Sequence, residues 1–117
     1  MKLTEVHYPA GLPIDGYAPG HFRINGQVHA GALVLAEGRV QAWAGMHDPA
    51  PLLALTGSVD VIFLGTGADL VPPPAALRTA LEAAGLGLEM MNTPSACRSY
   101  NVCLSEGRRV AAALIAV

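Results

Sequence analysis

The stretch Val59-Asp60-Val61-Ile62-Phe63-Leu64, closed by Gly65-Thr66-Gly67, is the key to the architecture. It is apolar except for Asp60 and rich in β-branched residues, which suits a strand covered on both faces. Downstream, Pro72-Pro73-Pro74 leads into residues 75–84, where Leu77, Leu81 and Ala84 form a helical stripe and Gly85 supplies a stop. Residues 86–91 read as the next strand. Asn92-Thr93-Pro94 then opens a second helix, with Thr93 as cap and Pro94 at the first helical position. That helix runs to about Glu106 and stops at Gly107. The chain closes on Val110-Ala111-Ala112-Ala113-Leu114-Ile115-Ala116-Val117, an apolar run that belongs in the centre of a sheet. Strand and helix therefore alternate as βαβαβ, and a right-handed crossover makes the strands parallel.

Upstream the pattern changes to antiparallel hairpins. Residues 3–8 look like a first strand, and residues 9–16 are too rich in Pro and Gly for regular structure. In His21-Phe22-Arg23-Ile24, Asn25-Gly26 and Gln27-Val28-His29, the Asn-Gly pair favours a type I′ turn. Phe22 and Ile24 share one face of that hairpin, His21 and Arg23 the other. Residues 32–36 and 39–43 form a second hairpin about Glu37-Gly38, and residues 48–55 suit a short helix with Asp48 as cap and Pro49 at its first position. The fold class is α+β, or mixed α/β: N-terminal antiparallel hairpins, then βαβαβ, with sheets packed against two main helices. Residues 1–117 make a single domain.

Composition excludes several functions. The chain has 117 residues, is 52% hydrophobic and 14% charged, and carries a formal charge of -2. No basic run supplies a footprint for nucleic acid. No apolar stretch approaches the ~20 residues that a bilayer core requires, so membrane insertion is not expected. Glu5 and His7 stand where a signal peptide would be apolar. Cys97 and Cys103 are separated by ~9 Å of helical rise, too far for a disulfide, and unpaired thiols fit the cytoplasm. No metal site and no cofactor are expected, because the cysteine spacing and the positions of His7, His21, His29 and His47 match no ligand set.

Parallel strands bring Gly65-Thr66-Gly67 and Asn92-Thr93-Pro94-Ser95 to one edge, where open α/β sheets bind ligands. Free amides at the start of the second helix, a glycine-rich turn and Arg98 suit a small anion there, so the ligand-binding candidates are Gly65, Thr66, Gly67, Thr93, Ser95 and Arg98. The plainer reading is that Thr93 caps the helix, the glycines make a turn and Arg98 pairs with Glu106 or Asp69. Gly65-Thr66-Gly67 completes neither a dinucleotide fingerprint nor a phosphate-binding loop. Cys97 is the one nucleophile candidate, since a helix N-terminus and Arg98 would lower its thiol pKa, but no histidine is tied to it as a base. Ser99-Tyr100-Asn101 places indifferent helix formers in mid-helix and points to specific hydrogen bonds, most simply Asn101 tying the helix to a neighbouring strand or loop.

Three motifs in order, Phe63-Leu64-Gly65-Thr66-Gly67, then Met91-Asn92-Thr93-Pro94-Ser95-Ala96-Cys97-Arg98-Ser99-Tyr100-Asn101-Val102, then Glu106-Gly107-Arg108-Arg109-Val110, resemble the family called domain of unknown function 498. Its eukaryotic relatives include a mitochondrial respiratory complex I assembly factor and an adipogenesis-associated protein. The resemblance implies a compact domain of mixed β-sheets packed with two main helices, with no agreed catalytic residues to carry over. Nothing before Leu3 resembles a mitochondrial presequence, so that location is not transferred. The function expected is a non-catalytic interaction or complex-assembly module with protein partners. The alternative is a small-anion-binding protein, or a cysteine-dependent enzyme, with its site at residues 65–67 and 93–98.

Overall fold

The computed structural model describes residues 11–117. The strand expected over residues 3–8 lies outside them. Among the described residues, strands β1 (Ile14–Ala18), β2 (His21–Ile24) and β3 (Gln27–Ala30) form an antiparallel sheet in that order. Strands β4 (Leu33–Ala36), β5 (Arg39–Ala42), β6 (Val61–Gly65), β7 (Gly87–Met91) and β8 (Val110–Leu114) form a second sheet of order β5-β4-β8-β6-β7. Helices α1 (Ala50–Leu53), α2 (Ala75–Ala83) and α3 (Thr93–Ser105) complete an α+β fold. β6 is parallel to β7 and β8, while β4 joins the sheet antiparallel to β8.

Side-chain alternation along the central strands builds two cores. On β8, Val110, Ala112 and Leu114 face α3 and the three-stranded sheet, joining Phe63 of β6 and Phe22 and Ile24 of β2. Ala111 and Ala113 face the other way, with Ile62 and Leu64, toward Leu52, Leu77 and Leu81 of α1 and α2. The first five residues of the apolar C-terminal run, Val110–Leu114, are therefore the middle strand of the larger sheet, and the strand stops short of the expected Val117. α3 packs over one face of this strand, while on the opposite face of the sheet α2 lies over β7.

Local turn chemistry behaves as the sequence requires. Asn25 and Gly26 have φ of 51° and 75°, and Glu37 and Gly38 have 53° and 74°, the positive pair that a type I′ hairpin demands. Two local expectations are corrected. Residues 14–16, expected in a loop, belong to β1: Ile14 is buried, and the ladder to β2 shifts register between Ile14 and Gly16, as at a bulge. α1 is shorter than residues 48–55, and Asp48 does not cap it; Pro49 holds that position, while the Asp48 carbonyl accepts the Trp43 indole N–H at 2.8 Å.

Candidate functional site

The parallel pairing of β6 and β7 brings residues 65–67 and 92–95 to one sheet edge. There the two segments are stitched together. The Thr66 N–H donates to the Met91 carbonyl at 2.9 Å, and the Thr93 N–H donates to the Gly67 carbonyl at 2.8 Å. Thr93 is fully buried; its Oγ1 donates to the Ile115 carbonyl at 2.6 Å and accepts the Gly67 N–H at 2.8 Å. Gly65 is required by this closeness, since a Cβ there would lie 2.7 Å from Thr93 Oγ1 and 2.9 Å from Thr93 Cα. The Thr66 hydroxyl donates to the Asp69 carbonyl at 2.6 Å and accepts the Val71 N–H at 3.0 Å, holding a loop that exposes Leu70 and Val71.

The cap of α3 is Asn92 rather than Thr93. Its Oδ1 accepts the Ser95 N–H at 2.9 Å, and its carbonyl accepts the Ala96 N–H at 3.0 Å. Thr93 turns inward because its hydroxyl joins Gly67 to Ile115. Since Pro94 has no N–H, the amides expected to be free for an anion are engaged within the protein, which corrects that expectation. Arg98 remains exposed, with Nη2 donating to Ser95 Oγ at 3.2 Å. Neither Glu106 nor Asp69 pairs with it; among the described residues the ion pair is Asp60 with Arg109, at 2.7 Å.

The thiol pKa of Cys97, expected to be lowered, is raised instead. The thiol is 4% exposed, in the core under α3, and burial pushes its pKa up to about 11 against the lowering pull of Arg98. A thiol in that state is protonated at neutral pH and poorly nucleophilic. Cys97 and Cys103 are both free, without a disulfide. His21, His29 and His47 join no cluster able to hold a metal among the described residues, and His7 lies outside them.

The polar residues of mid-helix α3 have structural partners. The Tyr100 hydroxyl donates to the Leu12 carbonyl at 2.8 Å, and burial raises the phenol pKa above its ordinary value. Asn101 Oδ1 accepts the Ile14 N–H, and its Nδ2 donates to the Ile14 carbonyl, both at 2.8 Å. Asn101 thus ties the helix to a strand, as the sequence suggests.

A groove that sequence reasoning does not anticipate lies between α3 and β7. It measures about 380 Å³ and is lined by Val61, Phe63, Met91 and Val102, with Glu89 on its β7 side and Arg98 and Arg108 along it. Val102 is 56% exposed, an apolar residue facing outward from the helix.

Residues 14–115 match the family model described as protein of unknown function, DUF498/DUF598. The chain belongs to this family. A DUF498/DUF598 relative in Rhodobacter capsulatus, an uncharacterized protein, is 50% identical over 98% of this chain and 93% of its own length. NADH dehydrogenase (ubiquinone) 1 alpha subcomplex assembly factor 3 of Danio rerio is 33% identical over 98% of this chain and 70% of its own length. Among solved structures, one described as an outer membrane protein from Bartonella henselae superposes with a TM-score of 0.85 at 32% identity, covering 95% of this chain and 99% of that one. No described helix of this DUF498/DUF598 domain is long and apolar enough to cross a membrane.

The family motifs acquire physical roles here. Gly65-Thr66-Gly67 and Thr93 form the internal clasp, and Tyr100-Asn101 docks α3 on residues 12–14. Glu106-Gly107-Arg108-Arg109 turns the chain from α3 into β8, with Gly107 at φ 79°. Arg109 then donates to Asp60 and to the Gly57 carbonyl.

Proposed function

We propose that this domain is a non-catalytic interaction module that helps to assemble or stabilise a larger protein complex. The observation that carries this reading is the match of nearly the whole chain to an assembly factor at 33% identity. The site geometry supports it. Thr66 and Thr93 are engaged internally, Cys97 is buried and protonated, and an open apolar groove with charged side chains lies on the surface. In this reading residues 1–117 act as one folding unit, and the free cysteines suit a reducing compartment such as the cytoplasm.

The test is cross-linking and size-exclusion of the tagged chain in its native cells, followed by identification of stoichiometric partners. The expected result is a protein complex larger than the chain itself. A thermal-shift screen with phosphate, nucleotides and small carboxylates runs alongside, with Arg98→Ala as the comparison. Saturation at 100 times the dissociation constant adds about 2.7 kcal/mol. A chain that remains monomeric, together with a shift that disappears in Arg98→Ala, would replace the interaction reading with anion binding around Gly65, Thr66, Gly67, Thr93, Ser95 and Arg98. Monomer without any shift would also defeat the interaction reading.

A further inference from the structure

The outer edge of β7 and the groove beside it form one continuous surface. The Gly87 N–H donates to the Asp60 carbonyl, and the Met91 carbonyl accepts the Thr66 N–H, both at 2.9 Å and both toward β6. In a parallel ladder the inward-bonding residues alternate, so the main-chain groups of Leu88 and Met90 point to the outer edge. No described strand pairs with that edge. On the α3 side, the helix packs mainly over β6 and β8, which leaves the face of β7 bordering the groove. An exposed strand edge beside an apolar furrow is the arrangement to which an extended segment adds as a further strand.

The charges along the groove specify what that segment carries. Arg98 reaches back a helical turn to Ser95 Oγ, near the Met91 end of β7. Arg108 lies at the opposite end, with Nη1 donating to Cys103 Sγ at 3.4 Å. Glu89 projects from the middle of β7 on the same side as Met91. Neither arginine has a carboxylate within ion-pair distance among the described residues. Along β7 the order is therefore cation, anion, cation. The complementary strand presents an acid, then a base, then an acid at alternate positions, with apolar residues between them.

We propose that β7 and its groove bind an extended segment of a partner protein with the alternation acid-x-base-x-acid, as an added edge strand. This rests on the interaction reading and names the surface and the chemistry of the partner. The symmetric charge order makes the pattern the same for parallel and antiparallel addition.

The probe is a fluorescein-labelled heptapeptide, TEVKVET, with TKVEVKT as its charge-exchanged control, titrated by anisotropy onto the full chain. TEVKVET is expected to bind about tenfold more tightly, because its charge pairs attract where the control's repel. The exposed double substitution Arg98→Glu with Arg108→Glu should weaken TEVKVET binding and lessen or reverse the preference. Hydrogen exchange at the Leu88 and Met90 amides should slow on binding. Met90→Pro removes an outward N–H and should abolish binding while leaving the β6 ladder, since proline is accepted on edge strands. Equal affinity for the two peptides, no binding of either, or binding without protection of Leu88 and Met90 would overturn the proposal. A native partner still captured by both the charge-reversed chain and Met90→Pro would overturn the groove alone and leave the interaction reading standing. Absence of any native partner would instead defeat the interaction reading.

Discussion

Asn101 and Ile14, separated by 87 residues in sequence, pair as two strands do: the carboxamide accepts the Ile14 N–H and donates to its carbonyl. The side chain of a helix thus satisfies the main chain of β1 at a point where the strand carries a bulge. Replacing Asn101 by Ala leaves both Ile14 groups without these partners, and a buried group left unpaired costs about 1–3 kcal/mol. The expected outcome is a fall in melting temperature of roughly 4–12 °C for each of the two groups that finds no other partner, at roughly 4 °C per kcal/mol for a domain of this size. Hydrogen exchange at Ile14 should quicken beyond the global change. A normal melt with Ile14 still protected would show that the carboxamide is dispensable.

The clasp of Thr93 with Gly67 and Ile115 predicts a graded series. Thr93→Ser keeps the hydroxyl, and its cost is mainly that of a lost methyl. Thr93→Val keeps the shape but strands the Gly67 N–H and the Ile115 carbonyl, at about 1–3 kcal/mol for each group that finds no other partner. Gly65→Ala drives a Cβ against Thr93 backbone and should cost about 1–3 kcal/mol by overpacking. Urea midpoints should therefore place Thr93→Val and Gly65→Ala well below Thr93→Ser. If Thr93→Ser were as damaging as Thr93→Val, packing of the methyl rather than the hydroxyl would hold the edge.

Thiol chemistry should separate the two cysteines. Cys103 is half-buried and Cys97 almost wholly buried, so a disulfide reagent at pH 8 should label Cys103 first and reach Cys97 only as the domain opens. The folded thiol of Cys97 is raised from 9.0 to about 11. Its contribution to stability is thus fully present below pH 9 and is lost as pH rises through about 11. Tyr100, raised by the same burial, adds to the loss above its ordinary value of 10.0. Stability measured from pH 8 to 10 should fall less steeply in Cys97→Ala than in the parent; parallel slopes would remove Cys97 as a cause.

These cases show what the sequence reveals and what it does not. The hairpins at Asn25-Gly26 and Glu37-Gly38, the parallel β6 and the central β8 are legible because turn conformations and apolar runs are local properties. Ile14 is not, because its partner Asn101 lies at the other end of the chain. Asn92 is the stronger cap by residue type, whereas Pro94 favours Thr93 by placing proline at the first helical position; the tertiary bonds of Thr93 to Gly67 and Ile115 draw its hydroxyl inward and leave the cap to Asn92. The burial of Cys97 does have a signal: Ala96, Cys97, Tyr100 and Leu104 recur at helical spacing and form the apolar face of α3. The groove has none in the sequence, since it depends on where α3 settles over β6 and β8.

Asp60 and Arg109 fasten the starts of β6 and β8. The Asp60 N–H donates to the Arg109 carbonyl at 2.8 Å, and the two side chains pair across the same point at 2.7 Å. The Arg109 hydrogen bond holds the Asp60 carboxyl below its ordinary 3.8. A depressed carboxyl contributes stability that is present above its unfolded value and lost as pH falls through the folded one. The same pair raises Arg109 above its ordinary value, so it stays charged throughout that window. Both side chains are solvent-exposed, and the contribution should be small and screened by salt. Asp60→Asn should therefore lower the urea midpoint slightly at pH 7 and low ionic strength, with the gap closing at pH 2–3 or in 1 M salt. Arg109→Met should cost more, because it also removes the bond to the Gly57 carbonyl at 3.1 Å, and that excess should survive both acid and salt. If the Asp60→Asn gap persisted at low pH and in high salt, the charge of the Asp60 carboxylate would not be its cause.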